Sequence, residues 1–243
     1  MRGLTREMTV KRLVLAVLLM LLTPLVQASM VLDRSILVFA AGDAPRQDVT
    51  ITNPDPDTMF VEVEVLEVRH PGTDKEERLV VRNPEEIGFI ATPTRLVLPS
   101  GASRIIRLVN LAGHGDTERV YRVNVKPVAA PEEETPAGDK EKRMSIKILI
   151  AYQLLIFVDP QQRNVLVEGR RDGNRLYLAN KGNVNSYLYD GRQCKEGEPQ
   201  AQCATLQAVR LYPGNEKVLT LPRDQAIEFQ VEAAGQHNRQ RFD

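Results

Sequence analysis

An all-β fold of two β-sandwiches in tandem follows from three features of the sequence. Helical periodicity is nearly absent, short alternating apolar runs recur at regular spacing, and Gly, Pro and Asn turns separate them. About 215 residues remain once an N-terminal targeting segment is set aside, room for one large all-β unit or two of about 100 residues each. The best division falls near Pro160, giving units at 29–159 and 160–243.

In the first unit, Val49–Thr52 reads as a short strand ended by the Asn53-Pro-Asp-Pro56 turn. From Phe60 to Val68, Val61, Val63 and Val65 alternate with Glu62 and Glu64, which predicts a strand with one wet face. Past Val65 the apolar phase slips to Leu66 and Val68, predicting a bulge or a twist. His70–Thr73 turns the chain. Arg95–Leu98, the Pro99-Ser-Gly101 turn, Arg104–Leu111 and Val120–Lys126 supply the remaining short strands.

Residues 127–142 differ in kind. They hold Pro127, Pro131, Pro136 and the acidic run Glu132–Glu134, with no large apolar side chain beyond Val128, too little to order a loop by burial. Residues 143–158 then read as one strand of twice the usual length or more. A period of two lines Met144, Ile146, Ile148, Ile150, Tyr152, Leu154, Ile156 and Val158 along one face. The other face, from Arg143 through Lys147 to Phe157, is mixed. A strand this long without Gly or Pro is a hazard at a sheet edge. It is either core of its own sandwich or a strand lent to another protein, and the local pattern leaves both readings open. Asp159-Pro160 stops it, because proline cannot donate to a ladder.

In the second unit, strands are predicted at Val165–Val167, Leu176–Ala179, Tyr187–Tyr189, Leu206–Leu211, Val218–Leu221 and Ile227–Val231. Asn180–Asn183 and Pro213–Asn215 are the turns. The polar tail Glu232–Asp243 is expected to fray.

Residues 1–28 read as a secretory signal peptide. Arg2, Arg6, Lys11 and Arg12 precede the apolar run Leu13–Leu22, and Val26-Gln27-Ala28 forms a small-residue exit. The run is too short to span a bilayer, so no membrane insertion of the mature chain is expected. Without that segment, 28 basic face 31 acidic side chains, a balance that implies no general affinity for nucleic acid or anionic lipid. In an exported chain Cys194 and Cys203, nine apart in a polar loop, read as a disulfide; a metal pair without nearby histidines is the weaker alternative. His70, His114 and His237 are scattered, and no phosphate-cradling glycine loop, nucleophile elbow or acidic metal cluster occurs. An enzyme, a cofactor and a metal site are therefore not expected. The chemistry left is binding.

Several phrases resemble the PapD-like periplasmic chaperones of bacterial fimbriae. They are Leu32–Ser35, Ala91-Thr92-Pro93, Leu96–Gly101, Ile105–Arg107, Glu118–Asn124 and the strand from Ile146. The Tyr121-Arg122-Val123 element, Ile150-Ala-Tyr152, Asn180–Val184 and the cysteine pair are most similar to the colonisation-factor, or alpha-type, branch. The resemblance covers nearly the whole mature chain. It implies two immunoglobulin-like domains in a boomerang-like arrangement and a periplasmic location after cleavage near Ala28. It also implies donor-strand complementation, which, like the sandwich fold, is a known property of that family. Fimbrial (pilin) subunits and an outer-membrane usher are the implied partners, and the donor edge gives free copies a way to self-associate.

Matched to the family, Ile146, Ile148 and Ile150 fill the subunit's groove, extended by Tyr152 and Leu154. The basic pair that anchors a subunit's C-terminal carboxylate in typical members is replaced by Ile36 and Leu155, leaving Arg34, Lys147 and Arg122 as candidate anchors. Glu118 matches the acid of the usual interdomain ion-pair network, while Asp159 falls where a base is typical. Two other classes compete: a fimbrial structural or adhesive subunit, and a two-domain β-sandwich binding module. The first would more often be one sandwich with an N-terminal donor extension, and the second needs an aromatic platform that a chain with no Trp and six Tyr hardly offers.

Overall fold

A computed structural model describes residues 30–243, apart from 81, 130–148, 196, 198, 200 and 201. The signal-peptide segment and most of the proline-rich loop lie outside the described residues.

Ten strands build the first sandwich: β1 (Val31–Leu32), β2 (Ile36–Phe39), β3 (Arg46–Thr52), β4 (Met59–Arg69), β5 (Glu77–Val80), β6 (Phe89–Thr92), β7 (Arg95–Leu98), β8 (Ser103–Asn110), β9 (Arg119–Val128) and β10 (Tyr152–Val158). One sheet runs β1-β3-β8-β6, the other β2-β10-β9-β4-β5 with β7 also on β4. Alternation sends Val49, Ile51, Ile106 and Leu108 from one sheet, and Val61, Val63, Tyr121, Val123, Leu154 and Ile156 from the other, into one core. Tyr121 stacks on Phe89 at 4.6 Å and donates its hydroxyl to the Ile87 carbonyl at 2.9 Å, so its polar end is satisfied inside the core. Buried Asn53 pins the predicted turn, its amide donating to the carbonyls of Asp57 and Leu98.

The second sandwich uses β11 (Val167–Asp172), β12 (Arg175–Asn180), β13 (Ser186–Gln193), β14 (Ala204–Leu206), β15 (Val209–Leu211), β16 (Glu216–Thr220), β17 (Ile227–Ala233) and β18 (Gln236–Phe242). Its sheets run β11-β12-β16 and β14-β13-β17-β18, with β15 on β13. Leu176, Leu178, Leu188, Leu211, Ile227, Phe229 and Phe242 fill its core. Asn180 repeats the role of Asn53, donating to Val184 and Leu211 carbonyls. Cys194 and Cys203 are bridged.

Four expectations change. Of the strand expected over 143–158, residues 143–148 lie outside the described residues, and within 149–158 the strand runs from Tyr152 to Val158. The strand expected at 206–211 is two short ones, β14 and β15, both on β13. The tail expected to fray is β18, paired with β17 from Ala233↔Gln236 to Ile227↔Phe242; its polar side chains face out while Phe242 anchors it in the core. The phase slip in β4 is not a bulge, since its register with β9 is continuous from Phe60↔Val128 to Val68↔Val120. Val68 is buried because the outer face of the sheet is itself covered there. Val68, Val120, Leu155 and Phe157 form a cluster with Tyr212 of the second sandwich.

Gly72 belongs to the same contact. It takes a positive φ of 72°, and a Cβ there would fall 2.7 Å from Asn215 Oδ1 and Tyr212 Cδ2, so only glycine lets the β4–β5 turn lie this close.

Candidate functional site

β10 lies between β2, parallel, and β9, antiparallel. The Leu155 and Asp159 amides donate toward β2, to Ser35 and Phe39 carbonyls, so the even-numbered residues of β10 direct their backbone groups at β9. Tyr152 opposes Val125 and Leu154 opposes Val123. The next such pair toward the N-terminus is Ile150 opposite Pro127. Proline has no N–H to give, and the ladder ends there. Residues 149–151 carry no strand, and Leu149 and Ile150 stand 42% and 49% exposed. An apolar lead-in thus enters the sheet unpaired.

The five expected donor-strand residues divide accordingly. Ile146 and Ile148 lie outside the described residues, as does Lys147. Ile150 is exposed and unpaired. Tyr152 is half-buried against the edge of the core. Leu154 is a correction: at 0% exposure it faces the chain's own core, because pairing with β9 from Tyr152, joined by β2 from Leu155, turns the even face inward.

The outer face of this sheet is graded in rows. Nearest the second sandwich, Val38, Phe157, Val120 and Val68 stand side by side; next come Ile36, Leu155, Arg122 and Leu66. Beyond them the row is polar, Gln153 donating to Asn124, and Asn124 and Lys126 to Glu64 at 3.1 and 2.6 Å. These donors, Lys126 first, hold the Glu64 carboxyl below its ordinary range. The pattern makes the Ile36–Leu155 pair cross-strand neighbours with Arg122 one strand away, its Nε buried and without a hydrogen-bond partner among the described residues. Arg34 precedes β2 and forms an exposed ion pair with Asp33 at 3.2 Å.

Facing these rows is a residue the sequence did not single out. Arg210 of β15 lies over the rings of Phe157 (5.2 Å) and Tyr187 (4.6 Å) and donates to Asn185 Oδ1. With Ile36, Val38, Phe157, Glu118 and Asp159 it lines a cavity of about 320 Å³ between the sandwiches. In sequence Arg210 is one base on a short alternating strand; only the approach of two remote elements gives it a role.

A family model for the pili and flagellar-assembly chaperone, PapD N-terminal domain, matches residues 29–164. The chain belongs to that family. Among solved structures, the class 5 fimbriae chaperone CfaA shares the fold of this PapD-family chain with a TM-score of 0.63 at 21% identity, over 88% of this chain and 99% of that one. The CsuC–CsuE chaperone–tip adhesion complex of Acinetobacter baumannii gives a TM-score of 0.57 at 12% identity, over 88% and 98%. In sequence, the chain is 26% identical to a CFA/I fimbrial subunit of Escherichia coli over 156 residues, 64% of this chain and 65% of that protein. The match therefore spans slightly less than two thirds of the relative's length. These likenesses carry the two-sandwich immunoglobulin-like fold across both halves of the chain.

The hinge departs from an ion-pair network. Glu118 accepts from the Asn185 backbone and side-chain amides, not from a base. Asp159 is 3% exposed and lies 3.5 Å from Arg163. Burial raises the pKa of Asp159, opposed by Arg163 and His114. No helix among the described residues is long and apolar enough to cross a membrane.

Proposed function

We propose that the chain is a periplasmic chaperone that captures fimbrial subunits by donor-strand complementation and passes them to an outer-membrane usher. The observation that carries this reading is the broken ladder at Pro127, which leaves an exposed apolar lead-in at Leu149 and Ile150 before a strand paired with β9 from Tyr152 and with β2 from Leu155. A client whose immunoglobulin-like sheet lacks a strand offers the missing backbone partners, so affinity comes from main-chain hydrogen bonds and register from alternate side chains. Ile150 is the first groove-filling residue, and the period of two assigns Ile148 and Ile146 to the same face in the complex. Each buried isoleucine contributes about 1.5–3 kcal/mol before the costs of association. Tyr152 marks the end of the donated stretch, and Leu154 stays in the chaperone.

Arg122 is the best-placed base for a client's C-terminal carboxylate, since it stands in the Ile36–Leu155 row with an unused buried donor. Arg34, engaged by Asp33, and Lys147 rank behind it. The division at Pro160 then has a function: the first sandwich donates, and the second forms the far wall of the cleft.

The test is co-expression with a fimbrial subunit lacking its own final strand, followed by co-purification. Ile150→Asp and Ile148→Asp are expected to leave the free protein's urea midpoint nearly unchanged and to weaken capture by on the order of 10- to 100-fold, one lost isoleucine. Variants that unfold alone, or capture undiminished, would overturn the assignment. A fibre component, as the name of the Escherichia coli relative suggests, would instead polymerise with its own copies.

A further inference from the structure

Glu118 sits where the sandwiches meet, one residue before β9. Its N–H donates to the Asn183 carbonyl at 3.0 Å, and its Oε2 accepts the Asn185 backbone N–H at 3.1 Å and side-chain amide at 2.6 Å. Its Oε1 is buried with no hydrogen-bond partner among the described residues. At 8% exposure, one oxygen of this carboxyl is solvated by amides and the other by nothing.

The charged groups around it do not make up the deficit. From β15, Arg210 spends its hydrogen bond on Asn185 Oδ1. Asp159, a like charge just beyond β10, acts on it and is itself attended by Arg163, His114 and Asp43. Tyr212 follows β15; Glu67, Arg69, His70 and Arg119 line the hollow on one side of Glu118, and Glu232 shares the cavity on the other. A carboxylate in such a place is a costly ion, whereas a neutral carboxylic acid is not.

We propose that the contact between the two sandwiches is proton-controlled: it is tight while Glu118 carries a proton and loosens as that carboxyl ionises. Burial raises its pKa from 4.5 to about 7, with the Asn185 hydrogen bonds and the Arg210 charge opposing and Asp159 adding to the rise. Separation of the sandwiches returns Glu118 to water and to its ordinary value. The proton is thus held more tightly in the docked state, and docking is strongest below about 4.5. It weakens by up to about tenfold for each pH unit between about 4.5 and 7, and is flat above.

The experiment uses the whole exported chain between pH 4.5 and 8.5. Carbon-detected NMR follows the Glu118 carboxyl, and amide exchange, corrected for its intrinsic pH dependence, compares Asn185 with Phe229 in the second core. The expected result is a Glu118 titration near neutrality and Asn185 protection that falls with pH while that of Phe229 does not. Glu118→Gln, which mimics the protonated form, should make Asn185 protection independent of pH. Should that variant fail to fold, the wild-type titration and protection ratio decide alone. Asp159→Asn should lower the Glu118 titration and keep the trend. A Glu118 carboxyl that titrates in the ordinary carboxylate range overturns the proposal, as does pH dependence that persists in Glu118→Gln or is abolished by Asp159→Asn alone.

Discussion

β10 and β18 are the last strands in chain order of the larger sheets of the first and second sandwich, and they are chemical opposites. From Leu154 to Val158 β10 is buried and apolar on both faces, and from Leu155 it has strands on either side. β18 is a row of Gln, His, Asn and Arg side chains with one neighbour, β17, and one buried anchor, Phe242. Each pairs over seven residues. Pairing is therefore not governed by hydropathy. It extends as far as the neighbouring backbone offers matched groups, to Ile227 for β18 and to Pro127 for β10. What hydropathy decides is the state of the residues beyond the last pair, which for β10 are sticky.

The comparison breaks most readily at β18. Phe242→Ala should cost about 3–5 kcal/mol in urea unfolding and strip amide protection from the strand, because one ring holds a polar strand on the core. Phe242 also fills the space over Gly169, where a Cβ would lie 2.1 Å from its ring. A small loss would mean that β18 is held by its ladder alone. Leu154→Ala, at a site with no exposure, should cost about 2–5 kcal/mol, in contrast to the near-neutral Ile150→Asp four residues earlier. Equal costs would erase the boundary drawn at Tyr152. The gentlest probe is Pro127→Ala. It supplies the N–H that the Ile150 carbonyl lacks, and closing that bond sets the Ile150 N–H against the 127 carbonyl, so exchange of the Ile150 amide should slow several-fold and client capture weaken, with stability changed by no more than about 0.5 kcal/mol. Unchanged exchange would show that something other than Pro127 ends the ladder.

Much of the fold was legible because alternation and turn residues act locally. Val61, Val63 and Val65 point inward as their spacing predicts, Asn53 and Asn180 pin the turns, and Arg95–Leu98 is a strand with those limits. The misreadings share one cause: contacts made by residues far apart in sequence. The slip at Leu66 and Val68 reads locally as a bulge or a twist because Tyr212, which packs with Val68, is more than a hundred residues away. Leu154 and Ile150 fall on one face by periodicity, and only the position of Pro127 across the ladder separates core from lead-in. Arg210 and the unshielded oxygen of Glu118 were likewise invisible until both sandwiches were in place.

Tyr212 has a consequence for how such proteins can be recombined. Its ring caps Val68, Val120, Leu155 and Phe157, none of which belongs to its own sandwich. Severing the halves would bare that apolar patch on one fragment and strand an aromatic ring on the other. Grafting a foreign second half would succeed only where a ring of similar size arrives over the glycine at position 72. The two halves are matched in shape, and a change of size on either side of the contact is felt by the other.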